Sequence, residues 1–285
     1  MSPIFRFAPS PNGYLHLGHA YSAIFTAEAA KAAGGTMLLR IEDIDLERCK
    51  PEFEAAIFED LKWLGLRWPE PVVRQSQRLE VYFEAAKSLR ARDLLYPCFC
   101  SRSDIAAKAT ATDPDGAPLY PGTCRHMTDV QVAEKIVAGK QPQYRLDMEA
   151  ALKVTGHLMV SEPLIDREVV LGGAKRAAYP ERWGDIVLVR KDVPTSYHLS
   201  VVIDDAWQKV THVTRGMDLY HATDIHVVLQ ALLDLPSPLY HHHELVMAKD
   251  GEEKLSKSKG SPALRDLRAA GWTPADVRKR LGFDV

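Results

Sequence analysis

Two histidines, His16 and His19, flank Leu17-Gly18 near the start of a 285-residue chain, and their type and spacing suit them to act on phosphate. They close the stretch Arg6-Phe7-Ala8-Pro9-Ser10-Pro11-Asn12-Gly13-Tyr14-Leu15, where a short apolar run is broken by prolines and a glycine. A helical spacing of Ala20, Ala23, Ile24, Ala27 and Ala30 then runs to Gly34-Gly35, which reads as a helix with a glycine at its end. Both histidines therefore fall in the first turn of a helix that follows a strand. Unpaired N–H groups and the positive end of the helix dipole favour phosphate there, and two imidazoles add donors aimed at the same charge. A basic element, Lys254-Leu255-Ser256-Lys257-Ser258, lies far along the chain. Taken separately, the first motif is two surface histidines beside a glycine turn. The second, alone, is a solvated turn after Lys249-Asp250-Gly251-Glu252-Glu253.

A second chemistry belongs to the cysteines. Cys98 and Cys100 share one face of an extended segment, and Tyr120 and Cys124 follow. Three thiolates close together in a reducing compartment suit zinc, which prefers four tetrahedral ligands. On general grounds His126 or water fits the fourth place better than a tyrosine, and unpaired buried cysteines are the alternative. Cys49 stands apart and reads as structural or incidental.

Composition narrows the setting. Hydrophobic residues make up 46% and charged residues 26%, with a net charge of −2. This is an ordinary globular balance with no global attraction to nucleic acid, so any RNA contact must come from local patches. Arg6 and the prolines stand where a signal peptide would be apolar, and a cytoplasmic protein is expected.

The elements that must position these groups are legible in outline. Residues 3–7 and 36–41 read as buried strands, the second running into Arg40-Ile41-Glu42-Asp43-Ile44-Asp45. Acids at the end of such a strand lie where open α/β sheets bind ligands, although Asp43 and Asp45 also suit a loop or a helix cap. Helices are expected over 51–66 and 77–94, giving a β-α-β-α-α opening half of a Rossmann-like domain. Between 125 and 182 the pattern mixes a helix at 129–138 with short strands at 143–148 and 168–171. Arg167, Lys175, Arg176 and Arg182 form either a basic face or ordinary solvated surface there. The parallel sheet is expected to resume at 185–189. His221, His226 and His241-His242-His243 keep no regular spacing with acids or thiols and read as structural or surface residues. Ser261-Pro262 and Thr273-Pro274 each place a cap before a proline, predicting two short helices that end near Gly271 and Gly282.

Several of these stretches carry a resemblance. His16-Leu17-Gly18-His19 resembles the HIGH signature of class I aminoacyl-tRNA synthetases, and the longer run from Arg6 is similar to their glutamyl/glutaminyl branch. Lys254 to Ser258 resembles the KMSKS loop. The resemblance implies an α/β fold, a Rossmann-like class I catalytic domain at 1–95 and 184–250. It also implies an inserted α+β, zinc-bearing domain at 96–183 that receives tRNA, and a short helical end at 251–285. It implies that His16, His19 and Lys257 are catalytic, binding ATP together with Gly18, Lys254 and Ser256. Glu42 would hold the amino group of the substrate. Tyr197, in a YxLxxxxDD segment, and Arg215, in an xxRGxDL segment, would line the amino-acid pocket with Arg6, Ala8 and Ser10. An arginine fork is the best partner for a buried carboxylate, so Arg6 and Arg215 are the candidates for an acidic side chain. The C-x-C and Y-x-x-x-C spacing resembles the zinc site of one branch, which brings Tyr120 in beside Cys98, Cys100 and Cys124 around one structural zinc. Asn12 stands where threonine or serine is common, and Met217 where glutamate is usual.

Only twenty-seven residues follow Ser258, whereas ordinary members continue into domains that read the anticodon. With the tyrosine-containing zinc pattern, this narrows the expectation to the short paralogues. These activate glutamate with ATP and Mg²⁺ without tRNA and pass it to queuosine at the wobble position of tRNA(Asp). A monomer without membrane contact is expected. The rivals are a truncated synthetase that charges a tRNA 3′ end, an idle tRNA-binding paralogue and a small nucleotidyltransferase.

Overall fold

The computed structural model describes residues 2–166, 169–246 and 262–283, with the side chains of 163–173 left out. The chain opens as a strand, β1 (Ile4–Phe7), followed by α1 (Leu17–Ala32), β2 (Thr36–Ile41), α2 (Pro51–Trp63) and a short β3 (Val73–Arg74). Pro51 sits in the first turn of α2 with Glu52 and Glu54, and Lys62 in the last, so proline geometry and helix dipole both favour that start and end. Next come α3 (Leu79–Ala91), β4 (Leu95–Cys98), α4 (Arg102–Ala106), α5 (Asp129–Val137), β5 (Gln143–Leu146) and α6 (Met148–Thr155). A hairpin of β6 (Met159–Asp166) and β7 (Val169–Ala177) leads to β8 (Val187–Val189), α7 (Tyr197–Trp207), β9 (His212–Gly216), α8 (Ala222–Leu232) and β10 (Leu239–His243). The short helices α9 (Leu264–Ala269) and α10 (Pro274–Arg280) close the described chain.

Five strands pair in the order β10-β9-β1-β2-β3, all parallel. Strand order runs one way from β1 to β3 and the other way through β9 to β10. The reversal therefore lies between β1 and β9, the place where open parallel sheets leave a crevice at their strand ends. Phe5, Ile24, Leu39, Ile41, Ile57 and Leu61 pack one face of this sheet, joined by Leu264 and Val277 of α9 and α10. Tyr82, Leu89, Leu146, Leu199, Val202 and Leu229 form a second core under α3, α7 and α8. Burial on both faces accounts for the apolar run in β2.

Two expectations are corrected here. Residues 185–189 do not resume the parallel sheet. Their strand, β8, pairs antiparallel with β5, which pairs antiparallel with β4 in a separate three-stranded sheet. An apolar run of this length fits a buried strand in either sheet, so composition could not choose between them. The first C-terminal helix starts at Leu264 with Ala263 in the cap position, while Ser261 lies outside the described residues. A side-chain cap is not needed at Leu264, because its N–H donates to the Leu15 carbonyl at 2.7 Å. The second helix behaves as expected, with Thr273 and Asp276 forming a reciprocal cap around Pro274. Among the described residues, no helix is long and apolar enough to cross a membrane.

Candidate active site

A cleft of about 690 Å³ opens over the carboxyl ends of β1, β2, β9 and β10. Arg6, Ala8, Ser10, Glu42, Tyr197 and Arg215 all line it, and so do His16, Gly18 and His19. Lys254, Ser256 and Lys257 lie outside the described residues, as does Arg167. The described chain on either side of 247–261 reaches this cleft. Leu245 and Val246 line it, and Ala263 pairs with His16. Asn12 also lines the cleft, whereas Met217 is exposed on the turn after β9 and does not.

The two histidines form the start of α1. His16 is its cap: the Gly18 N–H donates to His16 Nδ1 at 3.0 Å, and the His16 N–H donates to His19 Nδ1 at 3.2 Å. The rings lie 3.9 Å apart, centre to centre. Because each Nδ1 accepts, each neutral ring carries its proton on Nε2. A side chain at Gly18 would press its Cβ to 2.9 Å from the His16 ring, so glycine is what lets that ring fold over the helix start.

Arg6 and Arg215 enter the cleft from opposite sides with opposite surroundings. Arg6 Nε donates to Asp205 at 3.1 Å, and Arg40 Nη1 donates to the same oxygen at 2.7 Å. Arg40 Nη2 continues to Glu42 at 3.0 Å. Two guanidinium groups and two carboxylates thus balance inside the fold. Burial would raise the Asp205 carboxyl, but Arg6 and Arg40 outweigh it and hold it below the usual range. For Glu42 burial prevails over Arg40 and Arg6 and leaves its carboxyl raised. Arg6 thus lines the cleft with its Nε engaged by Asp205, a bond that does not use its terminal nitrogens.

Arg215, only 4% exposed, has different company. Its Nε donates to His242 Nε2 at 3.2 Å, its Nη1 to His226 Nδ1 at 3.1 Å and its Nη2 to the Thr223 hydroxyl at 2.6 Å. The Tyr240 ring lies under it at 5.2 Å. Among the described residues, no carboxylate pairs with it. Burial, then the Arg215 charge, pulls His242 down to about 2 and His226 well below the ordinary imidazole value, so both rings stay neutral. Tyr197 faces this side too, its phenol raised by burial.

The cysteine cluster lies apart from the cleft. The sulfurs of Cys98, Cys100 and Cys124 all lie within 4.8 Å of one another. Cys100 and Cys124 are 3.7 Å apart, and Cys98 is 3.5 Å from the Tyr120 hydroxyl. A tetrahedral zinc with bonds of about 2.3 Å to sulfur and about 2.0 Å to oxygen sets edges of roughly 3.8 and 3.5 Å. The residues fit that ion. The Cys124 N–H donates to the Tyr120 oxygen at 2.8 Å, while Arg145 Nε donates to Cys98 and its guanidinium stacks 3.9 Å over the Tyr120 ring. Burial would raise the Cys98 thiol, but the bonds from Tyr120 and Arg145 bring it down to about 7. Of the basic residues between 125 and 182, Arg176 and Arg182 both pair with Asp224, while Lys175 is exposed.

This cleft, on a parallel sheet and fronted by a histidine-capped helix, has known counterparts. The family of tRNA synthetases class I (E and Q), catalytic domain, matches residues 4–281. A glutamyl-Q tRNA(Asp) synthetase of Rhodobacter capsulatus is 47% identical over 98% of this chain and 100% of its own length. The chain belongs to the class I glutamyl and glutaminyl tRNA synthetases, in their glutamyl-Q tRNA(Asp) synthetase branch. A second protein of that description, from Symbiobacterium thermophilum, is 38% identical over 98% of this chain and 85% of its own. Among solved structures, the glutamate tRNA ligase of Elizabethkingia meningosepticum in complex with its amino acid superposes with a TM-score of 0.71 at 27% identity. This chain covers 53% of that one, and 91% of this chain is matched.

Membership makes the chain a ligase of the aminoacyl-tRNA synthetase type with a Rossmann-like class I catalytic domain. Residues behind this synthetase's cleft that were given no role from the sequence are Arg40, Asp205, Thr223, His226 and His242. Asp205 could have been found as the second acid of the YxLxxxxDD segment. His226 and His242 gave no signal, since a buried neutral imidazole and a surface one look alike in a sequence.

Proposed function

We propose that this synthetase activates glutamate with ATP in the absence of tRNA and transfers the glutamyl group to queuosine at the wobble position of tRNA(Asp). The observation that carries the glutamate part is the buried Arg215, whose described partners are all neutral. A carboxylate is the ligand that best meets such a cation away from water, and glutamine would leave it unmet. In this reading Arg215, with Tyr197 beside it, takes the side-chain carboxylate, and Glu42, Ala8 and Ser10 frame the amino end. Arg6, its Nε held by Asp205, lines the opposite wall and offers its terminal nitrogens to the same carboxylate.

The substrate α-carboxylate attacks the α-phosphorus of ATP, a P–O bond forms as the bond to pyrophosphate breaks, and glutamyl-adenylate results. Such a displacement needs positioning and positive donors more than a general base. His16 and His19 direct Nε2–H groups at the phosphates beside the α1 N-terminus, and Lys254, Ser256 and Lys257 complete the ATP site. Mg²⁺ accompanies ATP and screens its charge. Cys98, Cys100, Cys124 and Tyr120 would hold one zinc, which when bound cross-links two chain segments of the insertion at 96–183. The queuosine acceptor is supported by the full-length similarity to relatives of that description.

Pyrophosphate exchange with ATP tests the first half: glutamate alone should support it, and glutamine should not. Labelled glutamate with bulk tRNA, from cells with and without queuosine, tests the second. Nuclease mapping should place the label on the anticodon base of tRNA(Asp). Label on the 3′ end of tRNA(Glu) would overturn the acceptor and leave the activation standing.

A further inference from the structure

Arg215 has five N–H bonds, and three are taken by His242, His226 and the Thr223 hydroxyl. One remains on each terminal nitrogen, the number a carboxylate fork uses. The way the three are taken is specific. His226 Nδ1 must offer a lone pair to Arg215, so its proton sits on Nε2, which lies 3.2 Å from His198 Nδ1. His242 Nε2 likewise accepts, 3.0 Å from Thr223 as well, so its proton sits on Nδ1. Neither ring can be an imidazolium without losing its bond to the guanidinium.

Two elements build this arrangement. Parallel pairing sets His242 opposite Arg215 across β10 and β9, and α8 carries Thr223 and His226 one turn apart. Asp224, the nearest acid in that helix, is occupied by Arg176 and Arg182. Among the described residues, Arg215 thus has a neutral acceptor on each of its three nitrogens and a counter-charge on none.

We propose that His226 and His242 are specificity-determining positioning residues, which aim Arg215 through neutral lone pairs and leave its charge to be met only by an acidic substrate side chain. The inference rests on the reading that Arg215 receives the glutamate side chain. Here a histidine does the work of a carboxylate in geometry but withholds the charge. An aspartate or glutamate at either place would orient Arg215 equally well and fill its electrostatic need, so glutamate would lose its advantage over glutamine.

The test uses pairs of equal shape and different charge, read by pyrophosphate exchange on the whole chain. Asn places an acceptor near His Nδ1 and Gln near His Nε2, so the pairs are His226→Asn with His226→Asp and His242→Gln with His242→Glu. The neutral members should keep the preference for glutamate over glutamine within about threefold to tenfold, and the charged members should lose about a hundredfold or more of it. The KM for ATP should stay put in all four. Charged members that discriminate as well as the neutral ones, or neutral members that lose as much as the charged, would overturn the proposal. Nitrogen NMR of the wild-type chain at neutral pH supplies a readout that needs no variant to fold. It should show His226 protonated on Nε2 and His242 on Nδ1, and an imidazolium at either position would refute the inference. Absence of exchange with glutamate in the wild type would remove the functional reading instead, while the tautomers would still report on the arrangement.

Discussion

The two walls of the cleft treat a buried arginine in opposite ways. On the β1 and β2 side, Arg6 and Arg40 share Asp205, and Glu42 closes the set, so the charges cancel within the protein. On the β9 and β10 side, Arg215 is held by two imidazoles and a hydroxyl, and among the described residues no carboxylate meets its charge. The first wall balances its charges within the protein; under the proposed function the second is completed when an anion enters. Buried ion pairs of the first kind add rigidity at a desolvation cost, whereas an uncompensated buried cation is tolerated where binding supplies its partner.

The largest effect should come from the open wall. Arg215→Ala should lower kcat/KM for glutamate in pyrophosphate exchange by about a thousandfold or more, leaving KM for ATP nearly unchanged. It should cost little stability, because it removes a charge the fold does not neutralise. A variant that melted far below the wild type yet kept its activity would invert the comparison.

Asp205→Asn attacks the closed wall and should do the reverse. It leaves Arg6 and Arg40 without the carboxylate they share, and removing one partner of a buried ionic set costs about 3–5 kcal/mol. For a chain of this size the melting temperature should fall on the order of 10 °C. Saturating glutamate should not restore it, since the missing charge lies behind the site. If glutamate rescued Asp205→Asn fully, Arg6 rather than Arg215 would be the receiver of the substrate.

The two walls also differ in how far they could be read from the sequence. Arg6, Glu42, Tyr197 and Arg215 were legible because motif positions name them, and His16-Leu17-Gly18-His19 because glycine and imidazole have few other reasons to sit together at a helix start. Their surroundings were not. Arg6 is held by Asp205, 199 residues away in the chain, and no local pattern encodes a contact of that separation. His242 reaches Arg215 only through the register of two parallel strands, so a run of three histidines on β10 carried no sign that the middle one meets the arginine. The misplaced strand at 187–189 has a similar cause, because pairing partners are set by tertiary topology, not by the run itself.

The cysteine cluster extends the comparison to a third balance of charge, in which a cation would be supplied from outside to meet thiolates. Cys98→Ser should reduce zinc content measured on the protein purified without chelator. It should also loosen the segments that carry the cluster, seen as faster amide exchange in β4 and β5, and weaken transfer to tRNA more than pyrophosphate exchange. Equal loss in both reactions would tie the cluster to the cleft, from which its position separates it.

The most gradual effect is in pH dependence, and it separates the walls by where their stability is lost. His198 is pulled down to about 4 by burial and then Arg215, and His242 to about 2 by burial, Arg215, Arg176 and its histidine neighbours. In the unfolded chain these rings take a proton near the ordinary value of about 6.5, whereas in the folded one they do not. The unfolded state therefore binds more protons below about 6.5, and stability falls as pH drops from there toward about 4, by at most about 1.4 kcal/mol per unit for each ring. Asp205 gives a separate limb. Its carboxyl is held low, so its contribution is present above the ordinary carboxylate range of about 4 and is lost only as pH falls below that. Denaturant midpoints between pH 7.5 and 4.5 should slope downward in the wild type, and less steeply in Arg215→Met, where burial and the remaining neighbours hold the rings neutral. Saturating glutamate should also flatten the slope, because its carboxylate offsets the Arg215 charge that the rings feel. A stability that stayed level from pH 7 to pH 5 would mean the rings are charged when folded, and the open wall would then carry more positive charge than Arg215 alone.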